Sequence, residues 1–124
     1  MKHAINWFEI PAINFNRAAA FYETILGTPT RRETIGGISN AVLFTEQNDR
    51  HEAVGGSVVD NPKLKAGDTG VVPYLNCDTK LDAVLARVAH AGGRVVMPRT
   101  DTPFGFIAMI LDTEGNKIGL HSAA

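Results

Sequence analysis

Glu9 is the polar residue of this 124-residue sequence with the clearest chemical potential. It stands in Ala4–Ile10, a run rich in aromatic and β-branched residues that reads as a strand closed by Pro11. Side chains alternate along a strand, so Glu9 shares a face with Trp7, the only tryptophan. A carboxylate desolvated among apolar groups has a raised pKa and can act as a general base. It can equally reach solvent or pair with an arginine such as Arg99, since structural ion pairs perturb carboxylates as active sites do. In Gly70–Cys77 the same alternation groups Val72, Tyr74 and Asn76. Trp7 and Tyr74 can stack on an aromatic ligand or merely fill a closed interior.

The histidines give a weaker signal. His3, His51, His90 and His121 form neither a His-x-His nor a His-x-x-x-His pair, and isolated histidines rarely bind metal. His90 falls near a helix C-terminus, where an imidazolium suits the dipole. His121 shares the parity of Gly119 in the last strand. Cys77 is the only cysteine, which excludes an intrachain disulfide and a site of several thiolates. Asp112-Thr113-Glu114-Gly115-Asn116 reads as a hairpin turn, because it lacks the spaced oxygens of a calcium loop. Phe104-Gly105-Phe106 forms either a flexible lip, which would bring Phe106 to a ligand, or a plain hairpin.

The elements that must position these residues follow from punctuation and periodicity. Asn14 is a helix N-cap, and Ala18, Phe21, Tyr22, Ile25 and Leu26 make one apolar face that ends at Gly27. Strands follow at Thr28–Ile35, Ala41–Thr45 and Val54–Val59, with a polar loop at Glu46–Glu52. Lys63–Thr69 is a linker, after which the pattern restarts with a strand at Gly70–Cys77. Asp78 or Thr79 caps a helix whose face is Leu81, Val84, Leu85 and Val88, and Gly92 ends it. Arg94–Pro98, Phe104–Leu111 and Lys117–Ser122 complete the set. Trp7 and Val72, Ile10 and Leu75, and Gly27 and Gly92 are each 65 positions apart, so the halves repeat one pattern. A half of that size does not easily bury a core alone.

Composition narrows the function. Apolar residues make up 44% of the chain, enough for a core without staples, and the net charge of −1 has no basic or acidic block. Neither a nucleic acid nor a membrane is expected as partner. The start of the chain has no signal-peptide pattern, and a cytoplasmic location is expected.

The segments Trp7-Phe8-Glu9-Ile10-Pro11, Asn16-Arg17-Ala18-Ala19-Ala20-Phe21-Tyr22, Leu26-Gly27, Ala91-Gly92-Gly93 and Leu111–Asn116 together resemble the vicinal oxygen chelate superfamily of glyoxalase I, bleomycin-resistance proteins and dioxygenases. The resemblance covers nearly the whole chain. It implies an α+β fold of two tandem βαβββ modules, about residues 1–62 and 70–124. These would form a cupped eight-stranded mixed sheet with helices on the outer face. Trp7, Glu9, Val72, Tyr74, Asn76, Phe106 and His121 would then line a ligand cup, with Glu9 the candidate catalytic base. Metal-dependent relatives carry ligands at positions that fall here on Trp7, Val72, Gly119 and, within a residue, Gly56. None of these is a metal donor. The expectation is therefore a protein without metal or cofactor that binds a small, mostly apolar or aromatic molecule, neutral or cationic because of Glu9. An enzyme of the superfamily (a lyase, isomerase or dioxygenase) with a displaced metal site or with Glu9 as base is the alternative, and a module with a filled cup a third. A homodimer is expected from the resemblance.

Overall fold

The computed structural model describes residues 3–43 and 53–124. The first module runs β1 (Trp7–Pro11), α1 (Phe15–Leu26), β2 (Arg31–Ile35), β3 (Ile38–Leu43) and β4 (Gly55–Asp60). The second runs β5 (Tyr74–Asn76), α2 (Leu81–Val88), β6 (Arg94–Thr102), β7 (Gly105–Leu111) and β8 (Lys117–Ser122). The fold is α+β with the tandem βαβββ order expected. The strands form two four-stranded mixed sheets, β1-β4-β3-β2 and β5-β8-β7-β6. In each, the module's first strand lies parallel to its last and has no second neighbour. That edge position tolerates Pro73, which has no amide hydrogen.

Local chemistry explains most boundaries. The Asn14 side chain accepts from the Arg17 amide at 3.0 Å, and Gly27 ends α1 in the left-handed conformation at φ 67°. α2 ends earlier than expected, at Val88 with Ala89 as a right-handed cap, and Gly92 takes φ 104° in the turn that follows. α2 starts later than expected: Lys80 occupies the cap position without a side-chain bond, and Asp78 takes φ 52°. The Asp78 carbonyl is held instead by the Ala123 amide and the Ser122 hydroxyl, both at 2.8 Å, which fixes the turn between β5 and α2. β5 is much shorter than Gly70–Cys77, and β6 longer than Arg94–Pro98, because β7 pairs with it as far as Thr102 across two register shifts. The proposed loop Glu46–Glu52, His51 included, lies outside the described residues.

A single apolar core spans the modules. Ile10 and Val58 from one sheet, and Leu75, Ala108, Ile110 and Leu120 from the other, are buried with Phe21, Tyr22 and Ile25 of α1 and Leu81, Val84 and Val88 of α2. The helices pack on each other, and Arg87 of α2 donates to the Ile25 carbonyl at 3.1 Å.

The turn between β7 and β8 adds a polar lock. Glu114, with a fully buried side chain, accepts from the Ile13 amide at 2.8 Å, the Asn14 amide at 2.6 Å and Arg17 Nε at 2.8 Å. Asp112 accepts from the Tyr22 hydroxyl at 2.6 Å and from the amides of Glu114 and Asn116. Asn116 donates to the Pro11 carbonyl at 2.8 Å and accepts from the linker amide of Gly67 at 3.0 Å. Second-module side chains thus satisfy the amides that lead into α1. Burial is the largest single influence on the Glu114 carboxyl and raises its pKa. The bonds from Arg17, the Asn14 amide and Thr113, with the Arg17 charge, together outweigh it and hold the group below the usual range. Burial, reinforced by the neighbouring Asp112 carboxylate, pushes the Tyr22 phenol well above its ordinary value.

Glu114→Gln keeps the shape and removes the charge, weakening the bonds to the two amides. Denaturant unfolding at neutral pH is expected to show a loss of about 1–3 kcal/mol. A carboxyl titrating lower in the folded state contributes fully above its unfolded value near 4.5, and the contribution fades as pH falls through the folded value. The wild-type advantage should therefore shrink below about pH 4.5, and a gap constant down to about pH 3 would contradict this account.

Candidate functional site

Register decides which side chains leave the core. Glu9 pairs with Ser57, Ser57 with Val42 and Val42 with Arg31, so these four share the face turned away from Phe8 and Ile10. Trp7 and Glu9 are exposed there, Trp7 at 42%. In the second sheet Tyr74 pairs with Gly119 and Asn76 with His121, opposite the buried face of Leu75 and Leu120. Tyr74 is 46% exposed. Val72 precedes β5 and is half-buried. Phe106 stands apart: it pairs with Ser122 and packs against the core, with the Arg99 guanidinium 3.8 Å from its ring centre. Arg99 is also bound to Asp82 at 2.8 Å, so it is not a partner for Glu9.

The segment at 104–106 is a hairpin. Thr102 Oγ1 donates to the Gly105 carbonyl at 2.7 Å, Gly105 takes φ 114°, and Phe104 at the tip is exposed. His121 Nε2 lies 2.7 Å from the Phe104 carbonyl, which can only accept, so Nε2 carries the proton of that bond. His90 lies beyond the end of α2 and is exposed. Ser57 and Asn40 were not legible as a pair. They are buried on Glu9's side of the first sheet, and the Ser57 hydroxyl donates to Asn40 Oδ1 at 2.7 Å. Period-two alternation from Glu9 through the paired strand is the signal that places Ser57.

A cleft of about 900 Å³ lies where the modules meet. Phe8, Leu26, Thr28 and Arg31 line it from the first module. Tyr74, Asn76, Asp78, Lys80 and Val84 line it from the second. Of the residues singled out from sequence, His3, Tyr74 and Asn76 reach this cleft, and Trp7, Glu9, Val72, Phe106 and His121 do not. Cys77 also borders it, and burial pushes its thiol up to about 11. It is a packing thiol at neutral pH, not a nucleophile.

Residues 4–120 match the family model of the Glyoxalase/Bleomycin resistance protein/Dioxygenase superfamily. The chain belongs to this superfamily. A crystal structure of a glyoxalase/bleomycin resistance protein from Albidiferax ferrireducens T118 superimposes with a TM-score of 0.74 at 16% identity, covering 97% of this chain and 98% of that one. A glyoxalase/bleomycin resistance protein/dioxygenase family enzyme from Burkholderia phytofirmans PsJN gives 0.66 at 13% identity, with 96% and 98% covered. A glyoxalase I variant from Zea mays gives 0.68 at 19% identity, covering 94% of this chain and 46% of the other. These likenesses establish the fold. No curated protein matches the sequence.

Trp7, Gly56, Val72 and Gly119, where the resemblance leads one to expect metal ligands, do not fit a metal. Trp7 and Val72 have no donor atoms suited to a divalent ion. Gly56 faces Phe8, whose ring would lie 2.4 Å from an added Cβ, so its open-face neighbours in β4 are Gly55 and Ser57. Gly119 does lie on the open face, but the Tyr74 ring covers it: an added Cβ would meet that ring at 2.5 Å. An aromatic ring thus occupies the space that a ligating side chain at residue 119 would need. Among the described residues no three of His, Cys, Asp and Glu are grouped to hold an ion.

Gly119→Ala should therefore cost about 1–3 kcal/mol, the range for overpacking, by displacing the Tyr74 ring. In a Tyr74→Ala background the cost should largely vanish, which a double-mutant cycle of thermal or denaturant unfolding measures. Additive effects would show that the ring does not depend on the glycine.

Proposed function

We propose that this chain is a metal-free member of the superfamily that binds a small, mostly apolar or aromatic molecule between its two modules. The carrying observation is the cleft, whose walls come from both modules and combine Phe8, Leu26, Tyr74 and Val84 with about as much polar as apolar surface. Small-molecule sites join apolar lining to polar anchors, and this cleft offers both. The donor set at the superfamily's metal positions supports chemistry without an ion. Sequestration or sensing of the bound molecule needs no reacting group.

The working unit in this reading is a two-fold homodimer. Trp7 and Tyr74 are large side chains left half open on the two sheets, and a second copy would cover such surface with the same patch on both partners. The enzymatic alternative with Glu9 as base needs that residue enclosed, and within one chain it is exposed.

Elemental analysis of purified protein after mild dialysis should find no stoichiometric divalent ion. Light scattering at micromolar concentration should give twice the 13.3 kDa chain mass. Native mass spectrometry against a panel of small aromatic molecules should show one retained per chain. One equivalent of ion lost on Glu9→Ala or His121→Ala contradicts the metal-free reading. A monomer contradicts the assembly, and a panel without retained molecules contradicts the cleft as a binding site.

A further inference from the structure

The charged groups around the cleft are not those the sequence brought forward. Glu9, the basis for expecting a neutral or cationic ligand, does not line it. Two cationic side chains do, one from each module: Arg31 on β2 and Lys80 at the start of α2, with the His3 imidazole also in the lining. One carboxylate, Asp78, lines it as well. Arg31 shares its charge with Glu33, whose Oε1 lies 3.0 Å from Arg31 Nε, so Lys80 is the cation with more charge to offer a ligand. Asp78 takes a left-handed backbone conformation, its amide held by Asn76 Oδ1 at 2.8 Å and its carbonyl by Ala123 and Ser122. The main chain at Asp78 is therefore fixed.

The cleft also has an apolar part. Leu26 from the end of α1 and Val84 from α2 meet where the helices pack, and Phe8 and Tyr74 come from the two edge strands. A molecule entering the cleft meets aromatic and aliphatic side chains together with a cation from each module. Electrostatic complementarity then selects the sign of a ligand's polar end.

We propose that the cleft takes an amphipathic carboxylate, with an aromatic or aliphatic body against Phe8, Leu26, Tyr74 and Val84 and its anionic end toward Lys80 and Arg31. This rests on the cleft being the binding site, as proposed above, and adds the charge class of the ligand. Asp78 acts against such a ligand, and so limits its affinity and favours a single negative charge over two.

Three probes with one body and different ends test this by isothermal titration calorimetry: 4-phenylbutyrate, 4-phenylbutan-1-ol and 4-phenylbutylamine. The carboxylate is expected to bind about three- to tenfold more tightly than the alcohol, the range of a charged hydrogen bond near solvent, and the amine more weakly than either. Lys80→Gln, a change at an exposed position, should bring the carboxylate down to the alcohol and leave the alcohol unchanged. Asp78→Asn, which accepts the same left-handed backbone, should tighten the carboxylate. Added salt should weaken the carboxylate alone. Tyr74→Ala should weaken all three alike, because it removes apolar wall and no charge.

Equal binding of carboxylate and alcohol, or tightest binding of the amine, overturns the charge preference. In either case a common loss on Tyr74→Ala leaves the cleft standing as a site. If none of the three probes binds, in the wild type or in Asp78→Asn, both the charge preference and the cleft reading fall.

Discussion

Two carboxylates buried in one turn hold the halves of this chain together. No strand of one sheet pairs with a strand of the other among the described residues, so backbone hydrogen bonding does not join the modules. Glu114 and Asp112 reach from the β7–β8 turn to the start of α1 and to the Tyr22 hydroxyl within it. A buried carboxylate is costly unless its oxygens are satisfied, and each of these accepts several bonds. The amides of Ile13 and of the cap residue Asn14 have no partner within α1 and find one in Glu114. Each module therefore supplies what the other lacks, and the apolar contact of α1 with α2 forms beneath this lock.

The lock is at one end of the helix pair and the cleft is near the other. Glu114 meets the N-terminus of α1, whereas Leu26 and Thr28 at its C-terminal end line the cleft. Arg87 joins the helices at the cleft end of α1, at the Ile25 carbonyl. The separation of the two walls thus depends on how the helices are fixed. The edge strands add Phe8, Arg31, Tyr74 and Asn76 to the walls, while Trp7 and Glu9 are exposed on the other face of β1.

Local chemistry made much of this legible in the sequence. Periodicity and caps placed α1 from Asn14 to Gly27, and the 65-residue offset matched Ile10 with Leu75, both buried under helices. Alternation placed Trp7 with Glu9, and Tyr74 with Asn76, on the faces they occupy. The misses arose from tertiary constraints. Asp78 was read as a cap, but the C-terminal residues Ser122 and Ala123 hold its carbonyl and shift the helix start to Lys80. Phe106 lies one residue out of phase with His121's open face, which depends on how β7 pairs with β8. Arg31 and Lys80 look like ordinary surface cations in the sequence, and only the packing of modules makes them neighbours of one cleft. Glu114 read as part of a turn, which it is, but its partners lie about 100 residues away in sequence and no local pattern points to them.

Native-state hydrogen exchange at the amides of Ile13 and Asn14 tests most directly whether the carboxylate turn unites the modules. Both amides donate to Glu114 across the module boundary. If the lock forms one cooperative unit with the core, they should exchange with the same opening free energy as the buried strand amides of Ala108 and Leu120, through global unfolding. Exchange of the two amides through a much cheaper local opening, with the strand amides still protected, would show that the modules stay together without Glu114 and would contradict the account.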